Sequence, residues 1–101
     1  MFQSYVVEFF GTMFFVYVVL ATGNPLAIGA ALALVVLLIR NISGGYLNPA
    51  LTIVMASARQ IPNTEVLPYC LAEILGGLVA LEIYKRVKTG PTATVVTNTT
   101  A

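Results

Sequence analysis

The residues of this sequence whose types and spacing best support chemistry lie in the stretch 43–52, which reads SGGYLNPALT between two apolar runs. Gly44 and Gly45 permit positive φ or a close approach of the backbone. Pro49 lacks an N–H and has a φ suited to the first turn of a helix, so that Asn48 is placed at the N-cap. We therefore predict a helix that begins directly after Asn48.

This predicted helix is too short to cross a bilayer. Residues 50–58 are apolar and compatible with a helix, but they rise only about 15 Å, roughly half a bilayer. Its N-terminus would then lie near the membrane midplane, where irregular backbone is tolerated only if it is buried in protein or lines a wet cavity. We therefore expect Asn48 to face a pore.

The chemistry of such a half-helix is the selection of neutral solutes. Its N-terminus carries roughly half a positive charge, which at the midplane would repel cations and orient passing dipoles. Side-chain donors of Asn48 would hold a water or hydroxyl oxygen, which interrupts a proton wire without any cofactor. Acceptors for the hydroxyls of a solute would come from the exposed carbonyl groups of Gly44, Gly45, Tyr46 and Leu47.

The composition of the chain indicates that the bilayer is its solvent. Of 101 residues, 58% are hydrophobic and 9% are charged, whereas an ordinary soluble surface has charge on about a quarter to a third of its residues. The net charge of +1 gives no electrostatic footprint for nucleic acid. Cys70 is the single cysteine, and we interpret it as a small buried hydrophobe. The sequence thus predicts an integral, multi-pass membrane protein.

Three apolar segments accompany the half-helix. We predict spans over about 5–21, retained rather than cleaved as a signal peptide, then 25–42 and 63–84, the last with Asn63 or Thr64 as its cap. The predicted fold is an all-α membrane protein with three transmembrane helices and one re-entrant half-helix. Residues 1–88 would form the membrane domain, and the Thr-rich residues 89–101 a disordered polar tail.

A carboxylate lies inside the first predicted span. An uncompensated charge is expensive there, so Glu8 is expected to face the interior of the bundle and to have a partner, with Thr12 one turn further on the same face. The alternative is a position of Glu8 near the interface, where it reaches water. Arg40, at the end of the second span, is expected to extend to the lipid headgroups rather than to bind a substrate.

Three ordered motifs resemble those of the aquaporin and glycerol-facilitator family, also called the major intrinsic proteins. The stretch 43–52 is similar to the signature Ser-Gly-Gly-x-x-Asn-Pro-Ala-(Val/Leu)-Thr of that family. VEFFGT at 7–12 resembles its Ala-Glu-Phe-x-Gly-Thr, and AEILGG at 72–77 resembles its later Ala-Gln-x-x-Gly-Ala. The resemblance covers roughly 6–87 and the N-terminal half of a family member. It implies a passive channel for water or small neutral solutes such as glycerol.

The resemblance also implies roles for individual residues. In the family the glutamate matching Glu8 is buried and accepts hydrogen bonds from the re-entrant loop, which holds the loop's carbonyl groups towards the pore. Glu73 stands where the family has glutamine, so it is either protonated or paired with a backbone group. We therefore expect Glu8, Thr12 and Glu73 to support the loop.

Selectivity is where the sequence departs from the family. The family filter combines an aromatic residue on the second span with an arginine after one Asn-Pro-Ala, and the matching positions here are Ile28 and Leu51. With Val36 and Gly45, these residues would give an apolar constriction that suits glycerol, urea or another small neutral solute at least as well as water. The predicted pore-lining residues are Ile28, Val36, Gly44, Gly45, Tyr46, Leu47, Asn48, Pro49, Ala50 and Leu51.

Three spans and one half-helix amount to half of the family's pore. The two halves of a family member are related as inverted repeats, so a partner of this chain must insert upside down. Arg40 and Arg59 lie at one predicted end, against Lys85, Arg86 and Lys88 at the other, which is almost no orientation bias. We therefore favour dual topology and an antiparallel homodimer, with assembly of four pores as a further possibility.

Two alternatives stay open beside this interpretation. One is a half-channel that requires a different chain as its other half. The other is a non-conducting membrane protein that docks on full-length channels through its small residues. An enzyme is least favoured, because the sequence has no His, no Asp and no nucleophile–base set, and its four glutamates are spread along the spans.

Overall fold

Every regular element in the part of the chain that the structure describes, residues 2–88, is a helix. In the computed structural model, α1 comprises Phe2–Thr22, α2 comprises Pro25–Ile39, α3 comprises Pro49–Ser57 and α4 comprises Val66–Lys88. A 3₁₀ turn at Asn63–Glu65 leads directly into α4. The tail predicted for residues 89–101 lies outside the described residues.

Two helical segments are long and apolar enough to cross a membrane, by length and composition. They are Phe2–Thr22 and the continuous segment Asn63–Lys88. Only 17% and 28% of their apolar windows are buried within the chain. Because a core helix of a soluble protein would bury most of this surface, the outward-facing apolar side chains fit contact with lipid or with further helices.

The second predicted span is shorter than expected. Helix α2 ends at Ile39 and not at residue 42, because the backbone N–H groups of Ile42 and Ser43 both turn back to the carbonyl oxygen of Ile39, at 2.9 and 3.0 Å. Its 15 residues rise about 22 Å, less than the roughly 30 Å hydrocarbon core. The early turn brings Ser43 and the residues after it into contact with α1 and α4.

Helices α2 and α3 both start at an Asn-Pro dipeptide. The side chain of Asn24 accepts hydrogen bonds from the backbone N–H groups of Leu26 and Ala27, at 2.9 and 3.1 Å. Asn48 accepts one from Ala50 at 2.7 Å, so α3 begins where the sequence predicts. In each helix the proline occupies the first turn, where its missing N–H leaves no hydrogen bond unmade.

The predicted cap of the last span was wrong. Pro62 precedes the 3₁₀ turn as its N-cap residue, and no side chain makes a capping hydrogen bond there. Asn63 and Thr64 are the first two residues of this turn, whereas an N-cap residue immediately precedes the first residue of a helix. The helical segment therefore starts one residue earlier than a capping asparagine at position 63 would allow.

Close packing of α1 on α4 holds the molecule together. Gly76 of α4 lies directly against the carbonyl group of Phe9, and a Cβ atom at Gly76 would collide with that backbone group. On another face of α1, a Cβ atom at Gly11 would lie 2.8 Å from Val35 of α2 and 3.0 Å from Leu47. These glycines let the backbones of α1, α2 and α4 approach one another, as small residues do between membrane helices.

Helix α3 starts at mid-depth of the long helices. Leu47, just before α3, packs near Gly11, close to the middle of α1, and Thr52 in its first turns contacts Glu73, close to the middle of the segment Asn63–Lys88. Helix α3 then runs nine residues and ends near the 3₁₀ turn. It therefore covers about half of the length that the long helices span.

Candidate functional site

The loop before α3 has an unusual backbone. Gly44, Gly45 and Leu47 have φ values of 98°, 68° and 58°. Such values are unfavourable for leucine, so Leu47 must be held by its surroundings. A Cβ atom at Gly45 would lie 3.3 Å from the Cα atom of Val36, so the loop also runs close to α2. The two glycines that the sequence offers are therefore used for both conformation and close approach.

Glu8 holds this loop from α1. Its carboxyl oxygens accept hydrogen bonds from the hydroxyl of Ser43 at 2.5 Å, the N–H of Tyr46 at 3.1 Å and the N–H of Leu47 at 2.8 Å. Glu8 is fully buried. Bonds from three donors compensate the buried carboxylate, and they pin the residue whose φ is least favourable. Glu8 thus reaches the interior and does not extend to the interface.

A second set of contacts holds the start of the loop. The hydroxyl of Tyr69, on α4, donates to the carbonyl oxygen of Ser43 at 2.8 Å. Near the N-terminus of α1, the hydroxyl of Ser4 donates to the carbonyl oxygen of Ile42 at 3.0 Å. Sequence reasoning missed Ser4 and Tyr69 as loop contacts. Ser43 belongs to the motif at 43–52, which could have directed attention to its contacts. Ser4 and Tyr69 belong to no motif, so the sequence did not identify them.

Glu73 holds α3 from α4. Both of its carboxyl oxygens lie within hydrogen-bonding distance of the Thr52 hydroxyl, at 3.0 and 2.8 Å, and Glu73 is 1% exposed. Its partner in α3 is thus a side-chain hydroxyl, whereas the sequence had left a backbone group open. Thr12 is also buried, but its hydroxyl makes no hydrogen bond with the described part of the chain. Of the three predicted supporting residues, Glu8 and Glu73 have such contacts and Thr12 does not.

Polar groups without partners meet at the start of α3. Within residues 2–88, the carbonyl oxygens of Gly44, Gly45, Tyr46 and Leu47 accept no hydrogen bond. Asn48 is exposed, and its side-chain oxygen is occupied by Ala50, which leaves its amide N–H groups as donors. Within the described residues, a row of acceptors followed by a donor pair therefore keeps unused hydrogen-bonding capacity.

Gly45, Tyr46, Leu47 and Asn48 line an open cleft of about 230 Å³ between α1, α2 and α3. Six predicted pore-lining residues line it together with two that sequence reasoning missed, Phe15 and Leu32. The lining residues are Phe15, Leu32, Val36, Gly45, Tyr46, Leu47, Asn48 and Leu51.

The other predicted pore-lining residues do not line this cleft. Gly44, Pro49 and Ala50 adjoin lining residues in the chain, whereas Ile28 lies half-buried two turns before Val36 in α2. Phe15 and Leu32 carried no motif signal, because an apolar residue in a span looks the same whether it faces lipid or a cleft.

Glu8 lies directly behind the cleft, because it binds the backbone N–H groups of Tyr46 and Leu47, which line it. None of the residues that line it is charged. Arg40 and Arg59 are exposed near the end where α1 begins, since Ser4 of α1 bonds to Ile42 beside Arg40. At the other end, Lys85 and Arg86 form ion pairs with Glu82 at 3.4 and 3.1 Å. The field at the cleft therefore comes from backbone and amide dipoles together with the carboxylate of Glu8 behind the loop.

Fold and site together describe a helical membrane protein whose short helix starts at mid-depth with an exposed asparagine at its N-cap. The family model of the major intrinsic proteins matches residues 1–101, and the chain belongs to this family. Members of the family are integral membrane proteins.

Curated relatives agree with this assignment. The chain is 38% identical over 87 residues to "Glycerol uptake facilitator protein-like 6" of Lactiplantibacillus plantarum, covering 77% of this chain and 40% of the relative. It is 35% identical to "Aquaporin Z" of Bradyrhizobium diazoefficiens, covering 67% and 28%. It is 41% identical to "Aquaporin AqpM" of Methanothermobacter thermautotrophicus, covering 58% and 24%. The chain therefore spans less than half of the length of these relatives. No solved structure matched it.

Proposed function

We propose that this chain is one half of a passive membrane channel for water and small neutral solutes such as glycerol, and that an inverted second copy completes the pore. Two of the relatives are named as aquaporins and one as a glycerol uptake facilitator, which supports the solute class. In this proposal α1 and α4 cross the bilayer, and α2 completes the third crossing together with the turn at residues 40–43. Helix α3 enters it to half its depth.

The observation that carries the proposal is the exposed amide of Asn48 beside four carbonyl groups that accept no hydrogen bond from residues 2–88. At mid-depth of a membrane, unpaired backbone acceptors are stable only next to a wet cavity. A solute hydroxyl would donate to the carbonyl groups in turn and then accept from Asn48 at the positive end of α3. The helix dipole would repel cations there, since the lining has no anionic side chain and the carboxylate of Glu8 is engaged by three donors of the loop.

A second copy is needed because the cleft is open on one side. One chain supplies one short helix and the wall formed by α1 and α2. In inverted-repeat transport folds the two halves are antiparallel, so a separate second copy would complete the pore only if it is inserted upside down. The two ends of the chain carry two and three basic residues among those described, so the orientation signal is weak and both orientations are expected in one membrane.

The substrate class follows from the lining. Val36 and Leu51 give the cleft an aliphatic wall beside the polar groups of the loop, and Ile28 would be added at the mouth by the second copy. An aliphatic wall accommodates the carbon side of a small polyol or amide solute, while the carbonyl groups take its hydroxyl or amide protons. Glycerol and urea are therefore expected to pass as well as water.

Liposome swelling tests whether the chain is sufficient alone. Vesicles that contain only this protein are exposed to water and glycerol gradients in stopped-flow, with protein-free vesicles as the control. We expect permeability well above the control for both solutes. If inserted, folded protein leaves both rates at the control level, self-completion of the pore is wrong and a different chain must supply the other half.

The orientation of the chain is a separate test. A cleavable tag at the N-terminus should be accessible on both faces of the membrane if the dimer is antiparallel. Accessibility on one face in every molecule would rule out the inverted homodimer. The remaining candidates would then be a half-channel with a different partner and a non-conducting protein that docks on full-length channels.

The two capping asparagines give a matched pair of variants. Aspartate is as good an N-cap as asparagine, so Asn24→Asp and Asn48→Asp should both preserve their helices. Asn48→Asp replaces the amide donors of the cleft with a negative charge, and we expect it to reduce water and glycerol flux about tenfold or to admit cations. Asn24→Asp lies in the exposed turn between α1 and α2 and should leave flux unchanged.

Flux and ion leak through both variants are measured in the same vesicles, after matched recovery of inserted protein. Equal behaviour of the two variants would show that Asn48 only caps a helix. The channel proposal would then lose the residue on which it depends.

A further inference from the structure

Two glutamates meet in the interior of the molecule, one from α1 and one from α4. Glu8 is 0% exposed and Glu73 is 1% exposed, and they lie on helix faces that pack together, since Gly76 of α4 lies against the backbone of Phe9 of α1. Glu82, at the far end of α4, pairs with Lys85 and Arg86, whereas the groups that donate to Glu8 and Glu73 within residues 2–88 are neutral. Two adjacent buried carboxylates without a cation are strongly unfavourable.

The two carboxyl groups differ in their donors. Glu8 accepts on both oxygens: Leu47 donates to Oε1, whereas Ser43 and Tyr46 donate to Oε2. This arrangement requires an acceptor at each oxygen, which only the ionised form supplies fully. The hydrogen bonds around Glu8 therefore fit a carboxylate.

Glu73 has a single donor for both of its oxygens. The Thr52 hydroxyl lies 3.0 and 2.8 Å from them but has one hydrogen to give. The second short contact is a separate hydrogen bond only if Glu73 is protonated and donates to the Thr52 oxygen. The contacts around Glu73 therefore fit a protonated carboxyl group.

We propose that Glu73 carries a proton while Glu8 is ionised, and that neutral Glu73 is a positioning residue for α3. As a donor, it ties Thr52 in the first turns of α3 to α4. As a neutral group, it places no second negative charge beside the positive N-terminus of α3. This inference rests on the proposed channel function for its consequence on flux, but not for the protonation itself.

The neighbouring titratable groups are consistent with a single buried charge. Tyr46 approaches Glu8 from the loop, Tyr69 approaches it from α4, and Cys70 lies beside Glu73 on α4. Helix α3 contributes no titratable side chain to this region, because its residues are PALTIVMAS. No basic residue is among these neighbours, so the charge of Glu8 is balanced by hydrogen bonds alone.

Infrared spectroscopy tests the protonation directly. The protein has four glutamates and no aspartate, and a protonated carboxyl group has a C=O stretch separate from that of a carboxylate. We expect one protonated-carboxyl band at neutral pH in the membrane-reconstituted protein. Glu73→Gln should remove the band, and the control Glu82→Gln, in an exposed ion-paired glutamate, should leave it.

Two results would overturn the assignment. Absence of the band in the wild-type protein would mean that both carboxyl groups are ionised. Survival of the band in Glu73→Gln would place the proton on another glutamate. If Glu73→Gln does not fold, Thr52→Val serves instead: it removes the hydroxyl that contacts Glu73 but no contact of Glu8, so it should shift the band only if Glu73 holds the proton.

Permeability measurements test the positioning role. Glutamine matches a protonated glutamate in shape and can donate to Thr52 or Glu8, so Glu73→Gln should retain the flux that Glu73→Leu loses. Glu8→Gln has one acceptor oxygen where two are needed and should lower flux about tenfold or more. The reverse order, with Glu8→Gln tolerated and Glu73→Gln inactive, would contradict the proposal. If the wild-type protein conducts nothing, the channel proposal fails while the infrared result still decides the protonation.

Discussion

Helices α2 and α3 both start at an Asn-Pro dipeptide, yet the residues that precede the dipeptide are exposed in one case and mostly buried in the other. Asn24-Pro25 follows a glycine that no other group approaches within 4 Å of a Cβ position, in an exposed turn. Asn48-Pro49 follows a loop whose residues Tyr46 and Leu47 are buried and tied to Glu8. The local capping chemistry is the same in both places, so it does not distinguish a surface turn from a candidate pore.

The difference lies in what holds the residues before the cap. The turn at Asn24 is stabilised by its own side chain, which takes two backbone N–H groups of α2. The loop before Asn48 depends on groups from α1 and α4, which are far away in the sequence. Substitutions that separate α1 from α4 should therefore disrupt the loop before Asn48 and leave the turn at Asn24 intact.

The largest effect is expected from Gly76→Ala. The added methyl group would collide with the carbonyl group of Phe9, so α4 must move away from α1 at the level of Glu8 and Glu73. We expect a loss of about 3 kcal/mol in stability, at the upper end of overpacking effects, and loss of flux. Thermal unfolding can be followed by the reaction of the single, half-buried Cys70 with a thiol-specific fluorophore.

The adjacent glycine is the control for this variant. A Cβ atom at Gly77 would lie 3.7 Å from Val16, which is an ordinary contact. Gly77→Ala should therefore change stability by no more than about 0.5 kcal/mol, with a gain favoured by the helix propensity of alanine. Equal losses in both variants would show that α1 and α4 are not closely packed at Gly76.

A smaller effect is expected from alanine at the positive-φ glycines before the two starts. Gly23 and Gly45 have φ of 55° and 68°, so alanine at either position costs about 1 kcal/mol in backbone strain. A Cβ atom at Gly45 would also lie 3.3 Å from the backbone of Val36, whereas Gly23 has open space. We expect Gly45→Ala to cost about 2 kcal/mol, since overpacking adds to the strain, and to lower flux.

The cysteine-reactivity assay and vesicle swelling measure the two glycine variants side by side. Gly23→Ala should keep wild-type flux despite its loss of stability. If it lowered flux as much as Gly45→Ala does, the contrast between the exposed turn and the buried loop would be wrong.

The smallest effect is expected from Tyr69→Phe. This variant removes one hydrogen bond, to the carbonyl oxygen of Ser43, and should cost about 1 kcal/mol together with a modest loss of flux. Tyr17→Phe is the matched control, because Tyr17 makes an edge-to-face contact with Tyr84 that phenylalanine retains and no hydrogen bond within residues 2–88. A Tyr69→Phe protein as stable as Tyr17→Phe would remove Tyr69 from the support of the loop.

Much of the local structure could be predicted from the sequence, because its causes are local. The start of α3 at Asn48 follows from the cap and the proline, and the long apolar helices follow from composition and length. The end of α2 was predicted three residues too late, since its apolar run continues beyond Ile39 while the chain already turns to reach α1. The prediction that Asn63 or Thr64 caps the last span was wrong, because both residues are part of a 3₁₀ turn.

The sequence by itself determined the class of protein, the short helix and the asparagine at its N-terminus, since these depend on hydrophobicity and on contacts a few residues apart. Only the tertiary structure decided which groups hold the loop. Ser4, Tyr69 and Thr52 carry no pattern that pairs them with Ile42, Ser43 and Glu73. Such pairs are made when α1 and α4 pack together, and hydrogen bonds across that interface depend on helix rotation and depth, which a linear pattern does not encode.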